Sequence, residues 1–375
     1  MKMEGPRGTK KEEFWDLIEL VNLVFRPETQ AMKEEYQILF NEENLDNLRV
    51  IVEDGKPVSH IGTLERDISI YNCCSRVGLV GAVCTHPNYR NRGYATILLN
   101  DCIKRFDEHG CDFMLVSGIR RLYDSADCLL IGEVFRLEVR ERDLWRFERN
   151  EQISIEDSPE RYLEEMIRAY DEKAVRFIRP RRDWEIAIKS KFVMNAPCEF
   201  LIIKEKGEFK GYLIVHFWEG GRMAEVREYA GDGKALIDAI PHIFERYGLA
   251  GFVFPVPSED RGLAKPIQDK GVWTTIIPIS GTVRILNFPR LMERMRPYFR
   301  ERIGEEADKM RFEERDGRYI ISLGDEEFVM ENRRSMTWTI LSRPGGYEIE
   351  GEGRLIDLLR RMLPIPFVWY GINYI

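Results

Sequence analysis

The sequence predicts a mixed α/β and α+β protein built from three units, and three observations carry that expectation. A β-branched run from Val77 to Val83 breaks at His86-Pro87-Asn88 and is followed from Gly93 by a helix with one apolar face. A weaker recurrence of the same plan begins near Asn150. From Thr282 onward, short alternating strands are interleaved with amphipathic helices. The expected units are therefore 1–148, 149–281 and 282–375. A chain of 375 residues exceeds what one small core organises, which suits this division.

In the first unit, Trp15, Ile18, Leu20, Val21 and Phe25 recur at helical spacing and predict a helix over 12–25. A second helix is expected over 28–40, after Pro27. Residues 48–53 and 58–71, joined at Asp54-Gly55, read as a hairpin. After the strand at 77–83, the helix from Gly93 places Ala95, Leu98, Leu99, Cys102, Ile103 and Phe106 on one face and stops at His109-Gly110. A buried strand at 113–116, a short helical segment around Leu122, and strands between 129 and 145 complete the unit.

In the second unit, helices are expected over 159–175, 181–192 and 234–247, a hairpin over 199–204 and 209–218, and strands at 224–229 and 251–254. The third unit reads as a strand at 282–287, a helix at 289–299, strands at 310–314, 319–323, 327–331 and 335–340, a helix at 353–363, and an apolar tail from Pro364.

The turn from strand to helix at 84–96 carries the clearest chemistry. Free backbone N–H groups and the positive end of a helix attract phosphate at such a corner. Gly93 and the small Ala95 allow close approach to the backbone, and Arg90 and Arg92 add charge. A plain strand–turn–helix corner with two surface arginines is the alternative. A dinucleotide-binding reading lacks both Gly-x-Gly-x-x-Gly and a ribose-binding acid.

Arg90-x-x-Gly93-x-Ala95, behind a Thr-x-Pro-x-Tyr-Arg turn and ahead of an amphipathic helix, resembles the signature of the GNAT superfamily of N-acetyltransferases. The resemblance implies an acetyl-CoA site formed by Val83, Cys84, Thr85, Arg90, Asn91, Arg92, Gly93, Tyr94, Ala95 and Thr96. It further implies main-chain pairing of Val83–Thr85 with the pantetheine arm, beside a bulge that aims one N–H at the thioester carbonyl. At the matching corner of the second unit, Ala230-Gly231-Asp232-Gly233-Lys234 puts an acid where phosphate would sit, so a degenerate GNAT-like unit is expected there. It also lacks the spacing of a P-loop. The α+β order of the third unit resembles a sterol-carrier-protein-like domain. Two GNAT-like units followed by such a domain resemble the Eis-like acetyltransferases.

Acetyl transfer to an amine needs a base for an ammonium whose pKa lies near 10, a stabilised oxyanion, and an acid for the departing thiolate. Tyr123, in Leu122-Tyr123-Asp124-Ser125-Ala126-Asp127-Cys128, resembles the family's acid, although Asp127 stands where glycine is usual. The alternative is a packing tyrosine. The tail Phe367-Val368-Trp369-Tyr370-Gly371-Ile372-Asn373-Tyr374-Ile375 is too apolar to hang in water and should dock. In Eis-like enzymes a terminal carboxylate serves as base, a role that falls by position to Ile375. A final strand of the third unit is the alternative. An acyl-cysteine route through Cys84 has only His86 nearby as a partner.

The bulk composition sets limits on these readings. A net charge of −8 argues against a general nucleic-acid binder. No apolar run reaches membrane-spanning length, and the first residues carry no signal-like apolar region, so a cytoplasmic location is expected. Seven cysteines, with no Cys-x-x-Cys pair, and five scattered histidines predict reduced thiols and no metal site. The expected enzyme is an acyl-CoA-dependent N-acetyltransferase acting on a small-molecule or peptide primary amine, with homo-oligomer formation left open. The competing class is a non-catalytic acyl-CoA sensor or lipid-binding protein.

Overall fold

The computed structural model describes residues 3–375. Two seven-stranded sheets and one three-stranded sheet organise it. The first runs in the spatial order Met3–Gly8, Leu48–Glu53, Lys56–Ile70, Cys73–Thr85, Phe113–Val116 and Thr282–Ile285, with Val175–Ile178 added at the far end of Lys56–Ile70. The second runs Trp273–Ile277, Val134–Arg140, Gly251–Pro257, Met223–Gly231, Glu208–Trp218, Glu199–Glu205 and Ile153–Glu156. Each large sheet contains one parallel pair, Cys73–Thr85 with Phe113–Val116 and Met223–Gly231 with Gly251–Pro257.

Period-two alternation sorts the first sheet's side chains between two cores. Val77, Leu79, Phe113 and Leu115 face the helix Phe14–Phe25, whereas Val80, Met114 and Val116 face the helix Tyr94–Glu108. Gly78 is required by contact, because a methyl there would meet the Phe106 ring. The C-terminal tail packs into the core on the Phe113 and Leu115 side, with the Phe113 and Phe367 rings 4.9 Å apart.

Several elements differ from the sequence reading. Val134–Arg140, expected in the first unit, is an internal strand of the second sheet, between Gly251–Pro257 and Trp273–Ile277. Thr282–Ile285, expected to open the third unit, pairs antiparallel with Phe113–Val116 of the first sheet. The sheets therefore exchange strands across the expected limits at 148 and 281. Val175–Ile178 is a strand rather than the end of a helix, which stops at Asp171. The helix expected over 28–40 shrinks to the single turn Met32–Glu35, since Gln30 adopts φ +54° and breaks its start. Residues 335–340, expected as a strand, lie in the helix Arg333–Leu341. Asn332 caps that helix through the Ser335 N–H, which outweighs the β-branched content of Thr337, Thr339 and Ile340. The third region therefore holds a sheet of only three strands, Arg311–Arg315, Arg318–Leu323 and Glu326–Met330.

Candidate active site

The parallel pair in the first sheet opens a cleft. Cys73–Thr85 and Phe113–Val116 are in register from Val77 to Val80 and then diverge. On the other side of the signature strand the register with Lys56–Ile70 slips: Gly62 faces Gly81, while His60 faces Cys84. The extra residue makes a β-bulge, and Ala82 takes φ +49° within it. The diverging strands and the bulge leave a cavity of about 180 Å³ whose walls include Ala82, Val83, Ser117, Tyr123, Tyr374 and Ile375. Tyr123, Ile375 and Val83, far apart in sequence, thus meet in one cleft.

Tyr123 sits on the short helix Arg121–Asp124 and is buried. Its ring lies so close to Gly118 that a methyl at that position would come within 2.9 Å of Cε2. Burial pushes the phenol up to about 12, the nearby Arg120 only partly opposing it, so the group is a neutral O–H at physiological pH. Asp127 occupies the family's glycine position with φ +53°, a left-handed conformation that aspartate tolerates, and Cys128 N–H bonds back to Tyr123 O at 2.9 Å. The turn is therefore kept without the glycine.

The tail reaches the cleft because the second unit holds it. Arg179 and Glu228 form a buried pair at 2.6 Å, and Tyr212 donates to the same carboxylate at 2.8 Å. Glu228 accepts the Ile372 N–H at 3.1 Å, and Trp369 Nε1 donates to Arg227 O at 2.7 Å. Gly371, at φ +49°, has no room for a side chain, since a methyl there would overlap the Glu228 carboxylate. Beyond this clamp the main-chain carboxyl group of Ile375 lies against Gly81, and a methyl on Gly81 would overlap it.

The corner expected to hold phosphate is formed by a helix end without a side-chain cap. The helix Tyr94–Glu108 begins after Gly93, which takes φ +79° and offers no acceptor to the first-turn N–H groups. A Cβ at Gly93 would meet nothing within 4 Å, so the approach to those donors is open. Arg90, Asn91 and Thr96 are exposed around this corner, Ala95 is half-buried and Tyr94 is buried, its hydroxyl bonded to Glu53. Arg92, expected to be free for phosphate, is instead engaged. Its Nη1 lies 3.4 Å from Glu53 and its guanidinium 4.8 Å from the centre of the Tyr89 ring. Arg90 is exposed with no ion pair among the described residues, its Nε donating to Thr85 O at 3.4 Å. The matching helix of the second unit, Gly233–Asp238, is capped from within: Asp232 accepts the Ala235 N–H at 2.8 Å.

Two of the positions expected to meet the pantetheine arm are engaged within the chain. Arg120 Nη1 donates to Val83 O at 3.1 Å, and Thr85 Oγ1 shares a 2.8 Å hydrogen bond with Ser59 Oγ. Cys84 is buried and its thiol is pushed up to about 12 by burial, while burial lowers His60, which faces it across the strand pair, to about 3 and His60 Nδ1 is engaged with Arg49 O; this geometry gives an acyl-cysteine route no activated thiolate. Sequence reasoning missed Gly81, Ser117, Gly118 and Arg120, as well as a wall contributed by Arg26, Tyr36 and Asn195. Asn195 Oδ1 accepts from Arg26 at 2.7 Å and from Tyr36 at 2.8 Å, so the second unit closes the far side of the cleft. Of the first group, only the Ser117-Gly118 pair after the strand at 113–116 could have been signalled by sequence.

Comparison with known proteins agrees with this geometry. Residues 6–128 match the family model described as acetyltransferase (GNAT) domain. That stretch is similar to a GNAT domain. A search of curated protein sequences returned no match. Among solved structures, the chain is similar to a probable N-acyltransferase from Enterococcus faecalis, at 16% identity and a TM-score of 0.68, covering 98% of this chain and 100% of that one. A GNAT protein from Anabaena variabilis follows at 13% identity and 0.64, with 98% of each chain covered. Eis1 from Mycobacterium abscessus aligns at 12% identity and 0.61, with 98% of this chain and 99% of that one covered. At such identities these likenesses establish a shared fold, and they extend it over nearly the whole chain. No helix of the described residues is long and apolar enough to cross a membrane.

Proposed function

We propose that this protein is an acetyl-CoA-dependent N-acetyltransferase that acts on a primary amine by direct attack. The observation that carries the reading is the meeting of the Tyr123 phenol, the Ile375 carboxyl group and the Ala82–Val83 bulge in one cleft, at the end of a strand whose following helix has an uncapped N-terminus. Acetyl-CoA supplies an activated acyl group, and its pyrophosphate fits the donors of the Gly93–Thr96 turn, with Arg90 adding charge.

The chain's own groups then divide the work. The Ile375 carboxylate accepts a proton from the acceptor ammonium and leaves the nitrogen lone pair free to attack. Backbone N–H groups released by the bulge stabilise the oxyanion. As the carbon–sulfur bond breaks, the neutral Tyr123 hydroxyl donates its proton to the thiolate. The aromatic and amide wall of Tyr36, Tyr374 and Asn195 suits an acceptor with a small polar body, and the cavity size favours one amine at the end of a narrow stem.

The test separates carboxylate chemistry from tail packing. Ile375→Val keeps the carboxylate and most of the apolar contact, so turnover of an amine panel should stay within about twofold. Residues appended after Ile375 convert the carboxylate to a neutral amide, and turnover should fall about a hundredfold or more, while acetyl-CoA affinity and melting temperature persist. An appended protein that melts normally and keeps full activity removes Ile375 from the mechanism. Tight acetyl-CoA binding with no amine turned over by the unmodified chain would instead favour a sensor.

A further inference from the structure

A second cavity lies outside this site. It encloses about 560 Å³ in the second unit, where Met223–Gly231 and Gly251–Pro257 separate after pairing only at Met223–Glu225 with Gly251–Val253. By topology it is the counterpart of the cleft in the first unit: a parallel pair that diverges, followed by a helix. The chemistry of its walls is different. The helix at its mouth is only six residues long and its first turn is capped by Asp232, so the cavity offers no ready anion site.

Its charges are unequally satisfied. Lys234 is paired with Asp238. Lys173 Nζ lies 3.4 Å from Asp260 and 4.0 Å above the centre of the Tyr229 ring. Glu228 is neutralised by Arg179. Two further carboxylates of the lining, Glu259 and the exposed Glu172, have no ion-pair partner among the described residues. Glu259 is partly enclosed, and burial pushes its carboxyl up to about 7, opposed more weakly by its own backbone N–H and then by Lys173. An ammonium beside it would remove that cost. The cavity already shows how its walls hold such a group: the Lys173 ammonium is seated between a carboxylate and an aromatic face. Leu236, Leu263, Pro257 and Trp369 supply apolar surface next to it.

We propose that this cavity is a second ligand site, selective for a small organic cation, whose ammonium pairs with Glu259 while its carbon body packs against Leu263 and Trp369. An anionic ligand is disfavoured by the same inventory, because both lysines are already paired. The site is separate from acetyl transfer in the first unit and does not depend on that reading.

Calorimetry on the full chain without any acyl-CoA tests the proposal, since no acetylation can then occur. The probes are 1,4-diaminobutane and the neutral 1,4-butanediol. The diamine should bind and the diol should not. Glu259→Gln should weaken diamine binding at least tenfold. Gly262→Phe should do the same by occlusion; Gly262 is an exposed helical residue on the cavity wall, and a Cβ there meets nothing within 4 Å, so the variant is expected to fold. Residues appended after Ile375, which block the first site's carboxylate, should leave this binding unchanged. No heat with the diamine overturns the proposal. So does equal binding of diol and diamine, an affinity retained within twofold in both cavity variants, or loss of binding only when the tail is extended.

Discussion

Gly81→Ala is the most incisive perturbation of the proposed catalytic cleft, because one methyl group acts on one carboxyl group. Built on the present backbone, the new Cβ would overlap the Ile375 carboxyl carbon and oxygen and approach its Cγ1 to 3.0 Å. Ordinary carbon contacts of about 3.5–4.0 Å would be restored only if the carboxyl group retreats by roughly 1.5 Å. A displacement of about 1 Å from productive geometry costs on the order of a hundredfold, so kcat should fall by about that factor, equivalent to roughly 2.7 kcal/mol. Ile375 is buried, and its partial release would destabilise the fold by at most about 1.5–3 kcal/mol. The proposed acetyl-CoA corner at Gly93 lies beyond the bulge, and the KM for acetyl-CoA should change little.

The assay is steady-state release of CoA with a saturating amine, alongside thermal melting. A cycle with the Ile375 deletion sharpens it. Removing the last residue draws the carboxyl end back by about 3.3–3.6 Å and by itself abolishes the base. If both changes act through the same carboxylate, the double variant should be no slower than the deletion alone. Losses that multiply would refute the reasoning, as would full kcat in folded Gly81→Ala. A lowered melting temperature with unaltered kcat would show that the tail only packs.

Two other substitutions probe the remaining parts of the site. Tyr123→Phe removes only a hydroxyl from a buried ring and should lower kcat by about a hundredfold with acetyl-CoA affinity unchanged; equal turnover would leave Tyr123 as a packing residue. Gly93→Glu places a carboxylate at the open helix end, in a left-handed conformation that costs a side chain roughly 1–2 kcal/mol, and should abolish acetyl-CoA binding measured by calorimetry while the fold survives. Unchanged affinity in a folded Gly93→Glu variant would move the pyrophosphate elsewhere.

The sequence by itself determined the elements whose signal is local. The strand before His86, the helix with Leu98, Leu99, Cys102 and Phe106 on its inner face, and the Asp54-Gly55 hairpin were legible because each residue's burial face follows from its own periodicity. The acid at Asp232 was legible, and the structure shows what it does there: its side chain caps the first turn of the following helix. The apolar tail could be read as docked, but not where. Periodicity says which face of a strand is buried and nothing about its partner. The pairing of Thr282–Ile285 with Phe113–Val116 and the insertion of Val134–Arg140 into the second sheet were therefore hidden. The same holds for the active site. The Arg179–Glu228 clamp, the collision course between Gly81 and Ile375, and the wall at Asn195 join residues distant in sequence. The separation of two parallel strands in each large sheet is a property of backbone packing that no single residue announces. Tertiary structure alone decided these, because burial and approach depend on what the rest of the chain places opposite each residue.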